Sequence, residues 1–235
     1  MQFIEVNSFE VRSAVHQLER RGETLRFVLF PMIHIGEKSY YEDIAARASR
    51  CDLLLVEGVP SIWARIATRS YALFAARLGL VTQLELDLRA LRPKVINTDL
   101  SAEEFDAAHA ELPVAARMIL PLFLPLAGLY FLLRGNRELL AEQLETSDLP
   151  NREEILSASE ATDALDDLLL SRRDRAFLLR LQSLFEDSRG KSITIGIIYG
   201  AAHMPAIFRF LSDQLHYRVV DSSWSLVFSL YRTGE

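Results

Sequence analysis

Residues 25–58 read LRFVLFPMIHIGEKSYYEDIAARASRCDLLLVEG. The run LRFVLFPMI is short and nearly all apolar, as a strand buried on both faces requires, and it stops at His34-Ile35-Gly36. The next segment, EKSYYEDIAARASR, turns to helical periodicity, and CDLLLVEG is a second compact apolar run closed by an acid and a glycine. Strand, helix, strand is a βαβ unit. Its right-handed crossover makes the two strands parallel, so His34 and Glu57 fall at the same edge of the sheet. Ligands of open α/β sheets bind at that edge.

Farther along, a helical stretch is expected from about residue 61 to 91, and KVIN in RPKVINTDLS reads as a third strand running into a polar turn at Asp99. Ser101 with Glu104 three residues on is a capping-box signal for the following helix. Residues 192–199 within KSITIGIIYGAAHMPAIFRFL give a fourth strand, followed by a glycine turn and a helix that begins at His203. YRVVDSSWSLVFSL reads as two short strands meeting at residues 221–223, the last at a sheet edge. Before the decisive stretch, EVRSAVHQLERR places Val11, Ala14, Val15 and Leu18 at helical spacing, which predicts a short helix over residues 10–21.

The expected fold is therefore α/β, with a mainly parallel central sheet flanked by helices. The periodicity between the third and fourth strands is helical throughout, so about residues 102–190 form a large helical insertion. No Gly/Ser-rich or Pro-rich linker flanks it, and the 235 residues read as a single domain. Within the insertion, MILPLFLPLAGLYFLL, residues 118–133, is sixteen apolar residues between Arg117 and Arg134. It is shorter than the roughly 18–20 residues a spanning helix needs, and Pro121, Pro125 and Gly128 interrupt it. A buried or dimer-contact helix is one reading of it, and docking on a membrane surface is the other.

Half the residues are hydrophobic and 25% are charged, the balance of a globular chain. The net charge of -6 repels phosphate backbones, and no dense Lys/Arg run reverses it, so nucleic acid is not expected as a partner. The opening MQFIEVNSFEVRS lacks the basic and apolar regions of a signal peptide, which makes the cytoplasm the expected location. Cys51, the one cysteine, cannot form an internal disulfide and suits a core position.

No P-loop, dinucleotide-binding glycine pattern, zinc-protease helix motif or nucleophile elbow occurs. What remains is positional: His34, Glu57, Asn97 with Asp99, and His203 each follow a core strand directly. Two imidazoles with one or two carboxylates are the donor types that hold a divalent transition metal and leave a position open for water. Without a metal, the same groups supply a base and its orienting acid. A carboxylate that ends an apolar strand is costly unless paired, so Glu57 is either functional or part of a buried ion pair. Asp99 also suits ordinary turn chemistry, and His34 a strand-end position. Arg172, Arg173 and Arg175 lie between two apolar helical stretches, so at least one should point inward. That arginine would meet a substrate carboxylate or developing oxyanion, or neutralise Glu57 or Asp99. His16, His109 and His216 are expected on solvated surfaces.

Taken in order, FPMIHIG, CDLLLVEGV, PKVINTD, SRRDRAFL and IIYGAAHMPAI resemble the TraB/PrgY/GumN family, which includes the TIKI proteases. That family is marked by a G-x-x-H near the start, a strand-end Glu, an Arg in a helical segment and a second G-x-x-H near the end. His34, Glu57, Arg173 and His203 match these positions, with Pro31 standing where the first glycine would be. The resemblance implies a fold similar to erythromycin esterases and ChaN-like proteins. It further implies divalent-metal-dependent hydrolysis of peptide, amide or ester bonds, with manganese, cobalt or zinc as the ion. His34, Glu57 and His203 would hold the metal, Glu57, Arg173 and His203 would act in catalysis, and Asn97 and Asp99 are further candidates. The substrate would be a peptide or small molecule. Some family members look like regulators of peptide signals, so a non-catalytic ligand- or peptide-binding regulator, membrane-peripheral through residues 118–133, is the alternative.

Overall fold

The computed structural model describes residues 1–58, 72–117, 126, 129–130, 132–142, 144 and 167–231. Seven of the described strands form one mixed sheet: β1 (Ile4–Val6), β2 (Glu10–Glu19), β3 (Arg26–Met32), β5 (Leu53–Val56), β7 (Lys94–Asn97), β8 (Thr194–Gly200) and β9 (Arg218–Ser229). Its parallel core runs β3-β8-β5-β7, and β1, β2 and β9 add to it antiparallel. A separate two-stranded ribbon pairs β4 (Ile35–Gly36) with β6 (Val81–Thr82).

The four core strands lie where their apolar runs place them. β8 sits between β3 and β5, so it is covered on both edges as well as both faces, and Ile195, Ile197, Ile198 and Tyr199 are all nearly inaccessible. Helix α1 (Lys38–Ala48) makes the crossover from β3 to β5 and buries Tyr40, Tyr41, Ile44 and Ala48. Its tyrosine hydroxyls donate to the carbonyls of Pro31 and Ile33, at 3.1 and 2.9 Å. Helix α2 (Ala102–Glu111) starts with the expected capping box: Glu104 N donates to Ser101 Oγ and Ser101 N to Glu104 Oε2. Helix α3 (Arg137–Glu142) is tied down by Arg137, which reaches Glu37 and the carbonyls of Leu78 and Ser229. Helix α4 (Arg172–Ser188) lays Phe177, Leu181 and Phe185, four residues apart, into the core. Phe177 packs on Tyr199 with ring centroids 4.4 Å apart. Burying such a side chain contributes roughly 1.5–3 kcal/mol, so this stripe holds α4 on β8. Helix α5 (Met204–Arg209) follows β8 after one tight turn at residues 201–203.

The structure corrects three expectations about elements. Residues 10–19 are strand β2, not a helix. Val11, Ala14, Val15 and Leu18 are buried there, but so are Ser13 and His16, because β2 has β9 on one side and β1 and β3 on the other. The buried polar pair imitated the polar face of a helix. Residues 218–229 form one strand rather than two, since register shifts against β2 absorb Val220 and Val227 as extra residues without ending the pairing. Among the described residues β9 pairs with β2 alone, so it is an edge. The long helix expected over residues 61–91 ends early: residues 61–71 lie outside the described residues, 72–77 are helical, Gly79 turns the chain at φ 67°, and Val81–Thr82 then pairs as β6.

Between β7 and β8 the described residues form helices and turns, but 118–125, 127–128, 131, 143 and 145–166 lie outside them. Most of the apolar segment 118–133 is therefore not described. Among the described residues, no helix is long and apolar enough to cross a membrane.

Candidate functional site

The carboxyl ends of β3, β8, β5 and β7 stand in that order along one edge, and the sequence candidates follow them directly. Glu57 is one residue past β5 and turns back over β8, where its Oε2 accepts the N–H of Gly200 at 2.5 Å. A Cβ on Gly200 would stand 3.0 Å from that oxygen, so a side chain at the first residue of the G-A-A-H turn would crowd the carboxylate. Glu57 Oε1 faces two cations, Arg173 Nη2 at 2.5 Å and His203 Nε2 at 3.5 Å. Arg173 also grips Asp99 with two bonds, Nε to Oδ1 at 2.9 Å and Nη2 to Oδ2 at 2.5 Å, and it donates to the carbonyl of Leu169 through Nη1. On the far side of His203, Nδ1 meets Asp174 Oδ1 at 2.6 Å.

The result is a chain of alternating groups, Asp99, Arg173, Glu57, His203 and Asp174, crossing the sheet edge. Their side chains are 0, 12, 12, 4 and 19% exposed, so each charge depends on its neighbours rather than on water. Burial pushes the Glu57 carboxyl up, yet the His203 hydrogen bond and the charge of Arg173 outweigh it and hold Glu57 well below the usual carboxylate range. Burial works against the His203 cation too, but Asp174 and then Glu57 push its pKa up to about 9. Arg173 is held even more firmly in its charged form: burial alone would lower its pKa, but the Asp99 hydrogen bond and the Glu57 charge raise it above its ordinary value.

The other candidates occupy different positions. Asp99 accepts two N–H groups besides Arg173, from Gly58 at 3.1 Å and Leu100 at 2.8 Å, so both of its oxygens are fully used in holding the arginine and the Glu57-Gly58 loop. Asn97 braces the same loop, donating to the Gly58 carbonyl at 2.7 Å and accepting the N–H of Asp99 at 2.9 Å. His34 is exposed at the rim, with Nδ1 on Gln83 Oε1 at 2.8 Å. Pro31 fits in β3 because the pairing with β2 has ended before it, and its carbonyl accepts hydroxyls from Ser13 at 2.6 Å and Tyr40 at 3.1 Å.

Two expectations about other residues change or hold. His16 is buried rather than solvated, with its ring nitrogens at Ser222 Oγ and the Gln2 carbonyl. Its burial follows from the strand that replaced the expected helix. His216 is exposed and His109 half-buried. Cys51 is in the core.

Asp174 was missed in the sequence although a signal exists. Phe177, Leu181 and Phe185 define the buried stripe of α4, and continuing it one turn towards the N-terminus reaches both Arg173 and Asp174. Arg172 and Arg175 fall beside that stripe, and both pair with Asp167.

Among the described residues, no three His, Cys, Asp or Glu side chains are grouped to hold a metal ion. Two of the expected donors do meet. His203 Nε2 and Glu57 Oε1 are 3.5 Å apart, a separation that two ligands with bonds of about 2.0–2.2 Å to one ion can span. His203 also carries at Nδ1 the carboxylate partner that metal-binding imidazoles usually have. Arg173 shares the Glu57 oxygen that such an ion would need. The donor pair thus fits a divalent ion, with the guanidinium as its competitor.

No protein-family model, curated protein or solved structure matches the chain.

Proposed function

We propose that the chain is a divalent-metal-dependent hydrolase of peptide, amide or ester bonds, acting at the carboxyl edge of its parallel strands. The observation that carries this reading is the Asp174–His203–Glu57 alignment, with His203 Nε2 3.5 Å from Glu57 Oε1 and its other ring nitrogen on a carboxylate. His203 and Glu57 would hold manganese, cobalt or zinc, with His34 at the rim as the third expected donor, and the ion would supply Lewis acidity towards water and a substrate carbonyl. The chain's own residues do the rest. Arg173 keeps Glu57 ionised at neutral pH and fixes its carboxylate against Gly200, which suits Glu57 to holding an ion rather than to taking a proton from water. Asp174 holds His203 at Nδ1 and so turns Nε2 towards Glu57, where it would serve as a donor to the ion. With three of its nitrogens already engaged, Arg173 acts as the holder of Glu57 rather than as the direct partner of an oxyanion.

A second reading is a regulator that binds a small molecule or peptide without turnover, docked at a membrane surface or partner through residues 118–133. It is favoured by the mutual satisfaction of Arg173, Glu57 and Asp99, and by the exposure of Leu126, Leu129, Tyr130 and Leu133.

The deciding experiment measures bound metal in protein purified without chelator, together with turnover of an ester and peptide panel supplied with manganese, cobalt or zinc. Metal and turnover lost in His203→Ala support the hydrolase. A wild type with neither defeats it.

A further inference from the structure

The two imidazoles at the sheet edge are gripped at the same ring nitrogen. His203 meets Asp174 through Nδ1, and His34 meets Gln83 through Nδ1. The second contact is the less expected, because Gln83 belongs to no core strand and stands 49 residues away. It is also a double contact: Gln83 N donates to the carbonyl of His34 at 2.9 Å, while Gln83 Oε1 lies 2.8 Å from the ring. The next residues of both segments continue the attachment, since Ile35 pairs with Thr82 and Gly36 with Val81. Gly36 in turn is seated so closely that a Cβ there would meet Val227 and Tyr40 at 3.1–3.2 Å. Gln83 therefore reaches His34 from a backbone that is already fixed on both sides.

An amide oxygen accepts and never donates, so the ring nitrogen facing it must carry the hydrogen. In a neutral imidazole the lone pair is then on the other nitrogen. We propose that Gln83 is a positioning residue for His34: it fixes the ring as the Nδ1–H tautomer and leaves Nε2 as the nitrogen that accepts a proton or binds a metal. Being uncharged, Gln83 orients the ring without drawing a proton onto it as a carboxylate would. What Nε2 does at the edge rests on the hydrolase reading, whereas the tautomer does not.

The test uses the full chain, first freed of metal with chelator. Two-bond proton–nitrogen correlation spectra in mildly alkaline buffer distinguish the two imidazole nitrogens, and His34 is assigned by the signal lost in His34→Asn. The wild type is expected as Nδ1–H. Gln83→Ala and Gln83→Met, the second of similar size but with no acceptor, should move His34 towards the Nε2–H form. Gln83→Glu keeps an acceptor at the same reach and should preserve Nδ1–H. Unchanged His16 signals report that the sheet is intact in each variant. A wild-type His34 in the Nε2–H form, or a spectrum unmoved by both apolar variants, overturns the proposal. With metal supplied, the apolar variants should lower kcat about 10–100-fold and Gln83→Glu should restore most of it. Absence of any turnover in the wild type, with the tautomer as stated, would defeat the hydrolase reading and leave the assignment of Gln83 standing.

Discussion

The backbone N–H of Gly200 donates to Glu57 Oε2 at 2.5 Å, and a methyl group on Gly200 would stand 3.0 Å from that oxygen. The glycine of the G-A-A-H turn is thereby explained by a residue on another strand end. Arg173 and His203 face the other oxygen of the same carboxylate, so it cannot retreat freely. Gly200→Ala is expected to cost about 1–3 kcal/mol in urea unfolding, as overpacking does. A variant as stable as the wild type would show that the carboxylate is not held in this position.

Arg173 neutralises two carboxylates that are 12 and 0% exposed. Arg173→Ala leaves Asp99 buried without a cation and Glu57 with His203 alone, and should cost about 3–5 kcal/mol. Arg173→Lys should not restore the loss, because an ammonium cannot reproduce the guanidinium's bonds to Glu57 and Asp99 together. Combining Arg173→Met with Glu57→Gln and Asp99→Asn removes the charges as a set and should cost much less than Arg173→Ala alone. Equal losses in the single and combined variants would argue against the network.

Stability of the chelator-treated protein should depend on pH from both ends. His203 has its folded pKa pushed up to about 9 from 6.5, so its contribution is fully present below about pH 6.5 and is lost as pH rises through about 9. Glu57 behaves oppositely. Its folded pKa lies well below 4.5, so its contribution is present above that pH and is lost on acidification. The alkaline fall in urea stability should be shallower in Asp174→Asn and in His203→Gln than in the wild type. Identical alkaline slopes would show that Asp174 does not support the cation.

Cys51 is buried against the core, and desolvation, with a smaller push from Asp52, raises its thiol to about 12. An aromatic disulfide reagent should therefore leave it unmodified in the folded protein and react once the chain is unfolded. Rapid modification under native conditions would contradict its place in the core.

The parts of the fold that were legible are those where a physical demand acts on consecutive residues. A strand buried on both faces needs an unbroken apolar run, so β3, β5 and β8 and their shared carboxyl edge could be read directly, whereas the half-buried β7 was marked by Val95 and Ile96 before a polar turn. β2 could not, because Ser13 and His16 are buried through bonds to Pro31, Ser222 and Gln2 that lie elsewhere in the chain. Their polarity looked like exposure. Of the site, the strand ends identified His34, Glu57, Asp99 and His203, but they did not show that Asp99 and Asn97 serve the loop.

By itself, then, the sequence determined which chemical groups stand at the edge of the sheet, because hydrophobic patterning sets where strands end. It also carried, in the phase of α4, the fact that Arg173 and Asp174 continue the buried stripe. Only the tertiary structure decided the pairings: Arg173 with Glu57, 116 residues apart, Asp174 with His203, and Gln83 with His34. A hydrogen bond needs two atoms within about 3 Å, and local patterning carries no information about which distant segment will supply the second one.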